Sequence, residues 1–237
     1  MKMILQKIIA TSGYCSRRQA DALIREGKVK VNGEMATIGD QADLDKDTIT
    51  INKHVLPRAD SKLYIKLNKP LNYTCTNRSF KDEKNIFDLV DLPTRLFAVG
   101  RLDKDSRGLI LLTNDGDLTQ RLTHPKFQHE KIYEVKVKGE ITDLEKIKTN
   151  FLKGVILGGD KEVGHAKKVK YLQNKTFIIT LSEGKKRQIR RMFDTCDLEV
   201  IDLRRIDLAG LKLDALPEGR WTYLSEGEIN NLKKYGQ

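Results

Sequence analysis

Gly100-Arg101-Leu102-Asp103-Lys104-Asp105-Ser106-Arg107-Gly108-Leu109-Ile110-Leu111-Leu112-Thr113-Asn114-Asp115-Gly116 is a polar loop that feeds an apolar run and ends in a turn. The run Leu109–Thr113 is short, aliphatic and bounded by glycine on one side and Asn-Asp-Gly on the other, which predicts a buried strand. Gly100 and Gly108 bracket the loop and permit tight backbone paths. Arg101 and Lys104 lie close enough to keep a neighbouring carboxylate ionised, and an ionised aspartate at the rim of a sheet can act as a nucleophile. Spacing alone leaves other readings open. Asp103 could cap Ser106 or pair with a surface lysine. Asp103 and Asp105 could be the acid pair of a glycoside hydrolase. Asp103, Asp105 and Asp115 could surround a hard cation.

Outward from this loop, strands are expected at Leu63–Leu67, Lys131–Lys138, Val163–Tyr171, Thr176–Leu181 and Val200–Arg205. Helices are expected at Leu118–Leu122, Asp143–Phe151, Lys186–Phe193 and Glu226–Lys234. The alternation Tyr133-Glu134-Val135-Lys136-Val137-Lys138 points to an antiparallel sheet with one wet face. Strands and helices mix without a βαβ rhythm, so the fold class is α+β rather than doubly wound α/β. Pro57 to Ser61 reads as a linker, which separates a module at residues 1–58 from a larger domain at 62–237. In the small module Ile4, Leu5, Ile8 and Ile9 recur at helical spacing and Gly13 stops that helix. Ser16 caps a second helix with an apolar face of Ala20, Leu23 and Ile24, and Gly27 ends it. Lys28–Val31 alternates as a strand, Asn32-Gly33 is a hairpin signal, and Thr48–Ile51 returns.

The 237 residues carry a net charge of +11, and the 32% of charged residues leave no apolar run long enough to cross a bilayer. The start lacks an apolar signal segment. Charge of this size points to RNA or DNA before a membrane. It is concentrated: from Lys161 to Arg191 ten basic residues face only Glu162 and Glu183. Cys15, Cys75 and Cys196 form no C-x-x-C pair, and His124 and His129 lack a cysteine partner, so neither a disulfide framework nor a metal site is expected, and a reducing cytoplasm fits. No phosphate-binding glycine motif occurs, and no cofactor is expected. A monomer is the default expectation.

The order of residues adds two resemblances. Ser16-Arg17-Arg18-Gln19-Ala20, followed by Gly27-Lys28-Val29-Lys30-Val31-Asn32-Gly33, resembles the RNA-binding module named after the fourth small-subunit ribosomal protein. That likeness implies contact with structured RNA through backbone and shape, and it marks Ser16, Arg17, Arg18, Arg25, Lys28 and Lys30 as candidates. The Gly100–Gly116 stretch resembles the signature of bacterial ribosomal-RNA pseudouridine synthases of the RsuA/RluB/RluE/RluF type, over nearly the whole chain. The likeness implies a flipped uridine isomerised in ribosomal RNA, with Asp103 catalytic, attacking ribose or uracil or assisting loss of a ribose proton. Lys131-Ile132-Tyr133 resembles the family's K-x-Y, which implies that Tyr133 stacks on the base. Glu183–Phe193 resembles its E-G-x-x-x-Q-[IV]-[RK]-R-M, which implies that Arg190 pairs with Asp103 and Ile189 lines the uracil pocket. Arg101 supports the site, and Lys69, Lys185, Lys186, Arg187 and Arg191 join the RNA-contacting candidates. Asn68-Lys69-Pro70 resembles the family's N-K-P, but where the family continues x-Gly this chain has Leu71-Asn72. His129-Glu130-Lys131 and Gln188–Met192 lean toward the RluF-like, 23S-modifying branch. A non-catalytic RNA-binding or ribosome-assembly factor is the alternative.

Overall fold

The computed structural model describes residues 2–57, 61–76, 82–158 and 162–235. The expected linker falls mostly on 58–60 and the basic stretch begins at 161, both outside the described residues. Packing divides the chain into two compact units: residues 1–63 with 92–96 and 114–116, and residues 64–91, 97–113 and 117–237.

In the first unit Leu5, Ile8 and Ile9 are the buried face of the helix Leu5–Thr11. Ile4 stays exposed and pairs instead within Met3–Ile4 against Gln41–Ala42. Ser16 caps Arg17–Arg25 with a capping box to Gln19, satisfying donors that a helix start otherwise leaves open. Ala20 and Ile24 pack inward from that helix, with Leu23 half-buried beside them. Asn32 and Gly33 both take positive φ, 53° and 89°, the turn whose twist matches that of flanking strands. A four-stranded antiparallel sheet follows, in the order Glu34–Met35, Val29–Val31, Ile49–Ile51, His54–Val55.

The second unit is built on a nine-stranded sheet. Its central path runs Lys168–Tyr171, Thr176–Leu181, Lys131–Lys138, Glu199–Leu208, Arg107–Thr113, Tyr64–Lys69, Trp221–Tyr223. One junction is parallel, Arg204 and Arg205 beside Arg107 and Gly108; the other pairings are antiparallel. The mixed α+β expectation therefore describes it. Val135 and Val137 face a core with Phe151, Phe177 and Phe193 while Lys136 and Lys138 face out. The expected single strand Val163–Tyr171 is in fact two, Val163–Gly164 against Val155–Ile156 and Lys168–Tyr171 in the main sheet. The break falls where Ala166 turns inward, donating its N–H to Phe151 O at 2.8 Å. The helix expected from Lys186 begins at Gln188.

Phe97–Val99 pairs antiparallel with the far half of Arg107–Thr113, so the polar loop Gly100–Ser106 projects from a sheet that fixes both of its ends. Gly108 permits the parallel junction: at φ 105° a Cβ there would collide with the Arg205 backbone. The loop is clasped from the Asn68-Lys69-Pro70 segment. Lys69 is fully buried and donates to Ser106 O at 2.5 Å and Pro70 O at 3.0 Å. It is therefore an internal tie and not a contact for RNA phosphate, which corrects the sequence expectation. Asn72 stands in the left-handed region at φ 66° and its N–H donates to Lys104 O at 2.8 Å. Asparagine tolerates that conformation, which explains how this chain replaces the glycine of the motif. Asn72→Gly should keep unfolding stability within about 1 kcal/mol, whereas Asn72→Val should lose about 1–2 kcal/mol because a branched Cβ opposes positive φ. Urea titration of the two variants checks this.

Candidate active site

Asp103 stands on the wall of a cavity of about 270 Å³. Tyr133, Leu181, Ile189 and Leu203 give it apolar walls, and Arg101, Lys185, Lys186 and Arg187 surround its mouth with positive charge. The sheet delivers Tyr133 by a local irregularity. The register between Lys131–Lys138 and Glu199–Leu208 slips between Ile132 and Tyr133, and such bulges re-aim a side chain beside a site. Tyr133 is 9% exposed, packing in the core cluster while also lining the cavity. Ile189 arrives from the first turn of the helix Gln188–Asp194, whose inner face also buries Met192 and Phe193. Four aromatic and aliphatic surfaces around one carboxylate suit a planar, uncharged ring better than a polyanion.

The two loop carboxylates are not equivalent. Asp105 is held by Arg187 Nη1 at 2.8 Å and by Arg190 Nε at 3.2 Å, and Arg190 Nη2 also donates to Asp105 O at 2.6 Å. Partial burial alone would raise the Asp105 pKa, but the Arg187 hydrogen bond and the charges of Arg190 and Arg187 bring it below its ordinary value. Asp103, two residues away, has no side-chain hydrogen bond or ion pair among the described residues. It accepts only through its backbone oxygen, from Ser106 N at 3.1 Å, so no carboxylate cap of Ser106 forms. Arg190 thus pairs with Asp105, where the sequence expectation had Asp103. Two acids separated by one residue present the same charge to any spacing rule, so only the path of the loop separates them. The acid-pair and hard-cation alternatives lose their second member to these arginines, and Asp115 is taken by Lys62 at 2.9 Å.

The remaining cations divide by what they touch. Arg191 is tied internally to Glu162 at 2.8 Å and to the Leu157 carbonyl, which corrects its assignment as an RNA contact. Ser16 Oγ is likewise spent on Gln19. Lys185 pairs with Glu183 at 3.1 Å yet lines the cavity, and Lys28 pairs with Glu26 at 2.7 Å. Arg17, Arg18, Arg25, Lys30 and Lys186 are exposed. Arg187, also exposed, sits at φ 51° immediately before its helix. Sequence reasoning missed the organising role of Gln188, which is 3% exposed and joins Glu183 Oε1 at 2.6 Å to Lys185 N at 3.1 Å. Its place just before the Ile-Arg-Arg run was the available signal.

Folding lowers the Asp105 pKa from an ordinary value of 3.8. The stability it contributes is therefore complete above that value and is lost as pH falls through the lower folded value. The difference in unfolding stability between the natural chain and Asp105→Asn should be constant from near neutrality into mild acid, then shrink below about pH 4. Chemical denaturation across that range reads it.

Residues 63–195 match the family described as RNA pseudouridylate synthase, and residues 5–47 match the S4 domain. The dual-specificity RNA pseudouridine synthase RluF of Escherichia coli K12 is 39% identical over 234 residues, covering 97% of this chain and 78% of that protein. The ribosomal large subunit pseudouridine synthase B of Bacillus subtilis is 38% identical, covering 97% and 95%. A crystal structure of a pseudouridylate synthase superposes with a TM-score of 0.71 at 34% identity, over 97% of this chain and 99% of that one. With its S4 domain, its mixed sheet and a carboxylate loop projecting from that sheet, the chain belongs to the RNA pseudouridylate synthase family.

Proposed function

We propose that this enzyme isomerises one uridine in large-subunit ribosomal RNA in the cytoplasm, with Asp103 as the catalytic carboxylate. The observation that carries the assignment of Asp103 is its position: it faces the cavity without a side-chain partner among the described residues, while its neighbour Asp105 is bound by two arginines. The reaction breaks the bond from ribose C1′ to uracil N1 and forms one from C1′ to C5. C5 loses a proton and N1 gains one, so nothing is oxidised and no co-substrate is consumed. The reacting atoms are buried in a stacked helix, so the nucleotide must turn out of its stack to meet the cavity. There Tyr133 and Ile189 sandwich the ring, and Asp103 meets the sugar-base junction from the loop. Arg190 acts through Asp105: by fixing that residue's carbonyl and carboxylate it holds the loop that presents Asp103. Preorganisation of this kind keeps the carboxylate at reacting distance.

The RluF and large-subunit synthase B names of the relatives support the choice of large-subunit RNA. The exposed Arg17, Arg18, Arg25 and Lys30 of the S4 domain and Lys186 and Arg187 of the larger unit grip the backbone, contacts that position without reading sequence. If about six phosphates are neutralised, log affinity falls with log salt at a slope near −4.

Unmodified 23S and 16S RNA incubated with the enzyme, followed by carbodiimide labelling and primer extension, should show one new mark in 23S. Asp103→Ala should lose at least about 10⁴-fold in rate, the scale seen when a reacting group is removed. Full activity in that variant would remove Asp103 from the chemistry, and a mark confined to 16S would overturn the large-subunit assignment.

A further inference from the structure

A second cavity, of about 560 Å³, adjoins the Asp103 cavity and shares Arg101, Tyr133, Gly184 and Lys185 with it. Its floor is unusual in charge. Arg205 is 2% exposed; its Nε donates to Leu109 O at 2.7 Å, but its Nη2 is buried without an acceptor among the described residues. Among the described residues Lys131 reaches only the carbonyls of His129 and Glu183, at 3.4 and 3.5 Å, the outer limit of a hydrogen bond. Burial, and then the repulsion of Arg205, pushes the Lys131 amine below its ordinary range. Glu183, a carboxylate on this wall, offsets only part of this charge. Its oxygens are taken by His165 N at 3.0 Å, Gln188 Nε2 at 2.6 Å and Lys185 Nζ at 3.1 Å.

A buried guanidinium nitrogen without an acceptor is destabilising, and a second cation beside it adds repulsion. Both costs vanish if an anion enters. We propose that this cavity is a subsite for a phosphodiester of the substrate RNA, adjacent to the flipped uridine, held by Arg205 Nη2 and Lys131 Nζ. The shared wall decides which phosphate: a group in this cavity lies across the shared residues Arg101, Tyr133, Gly184 and Lys185 from the ring in the Asp103 cavity, so it belongs to a neighbouring nucleotide in the chain. The subsite thereby pulls the backbone to one side of Tyr133 while the base lies on the other, and the turning-out of the uridine is coupled to capture of its flanking phosphate. This rests on the uridine-isomerising reading for the choice of RNA and for the ring in the Asp103 cavity.

The test uses the full chain and synthetic RNA fragments carrying the uridine mapped above, with each flanking phosphate replaced in turn by a neutral methylphosphonate. Binding is followed by fluorescence anisotropy for the natural chain and for Lys131→Met, Lys131→Gln and Lys131→Arg, each with its thermal melt. One methylphosphonate position should weaken binding to the natural chain about tenfold, the scale of a charged hydrogen bond. The same position should weaken Lys131→Met or Lys131→Gln by clearly less, about threefold, because the Lys131 contact is already lost there and only the Arg205 contact remains to lose. Lys131→Arg should keep the sensitivity, and the salt slope should drop by about 0.7–1 in the two neutral variants. Additive losses at every position overturn the proposal, whichever neutral variant folds. So does saturable binding of inorganic phosphate that needs Lys131 while no backbone position is coupled to it, since the site would then take free phosphate. Retained activity in Asp103→Ala would remove the catalytic assignment without touching this coupling.

Discussion

Two guanidinium groups on one carboxylate decide how this site is assembled. Arg187 and Arg190 stand at and just inside the start of a helix, Asp105 stands in a loop more than eighty residues earlier, and Arg190 continues to Val200 O at 2.7 Å. Helix, loop and the strand Glu199–Leu208 are thereby joined at a single ion cluster. A half-exposed pair of this sort contributes little stability. Its value is geometric: it fixes the loop that carries Asp103 and takes up the competing negative charge, leaving one carboxylate facing the cavity. The Lys69 tie and the Asn72 turn hold the same loop from the opposite side. Fixing both sides of a loop is how a site on irregular backbone reaches the precision of one built on a strand.

Much of the architecture was legible because its signals are local. Alternation predicted Lys131–Lys138 and Thr176–Leu181 to the residue, and the capping box and the Asn-Gly turn marked the small module. What failed was non-local. Val163–Tyr171 reads as one alternating segment, yet Ala166 leaves the strand to meet Phe151 across the core. Phe97–Val99 and Trp221–Tyr223 are too short to stand out from their surroundings and become strands only because an existing edge or face pairs with them. The same limit applies to the site. The family resemblance named Asp103, Tyr133, Ile189 and Arg190, and the fold gathers them around one loop and one helix start. Which acid Arg190 meets depends on the turn between Asp103 and Ser106, and that turn is set by ties from Lys69 and Asn72.

Charge counting misled in a consistent direction. Lys69 and Arg191 contribute to the basic excess but spend their protons on internal carbonyls and carboxylates. Arg205 is nearly hidden and Lys131 half-buried, and both remain under-coordinated among the described residues. A basic sequence thus contains three populations: cations that tie the fold, cations that meet solvent, and cations that are buried and waiting for an anion. Only the last two are available to RNA, and only the structure separates them.

Arg187 occupies a left-handed backbone conformation that glycine would adopt without steric cost. A long side chain at φ 51° is retained where the backbone favours none. Variants selected for heat resistance alone would therefore drift toward glycine at 187, relaxing the helix start while releasing Asp105 to compete beside Asp103. Ranking the substitutions at this one position by melting temperature and by turnover would give opposite orders, the mark of a residue kept for its work against the preference of its own backbone.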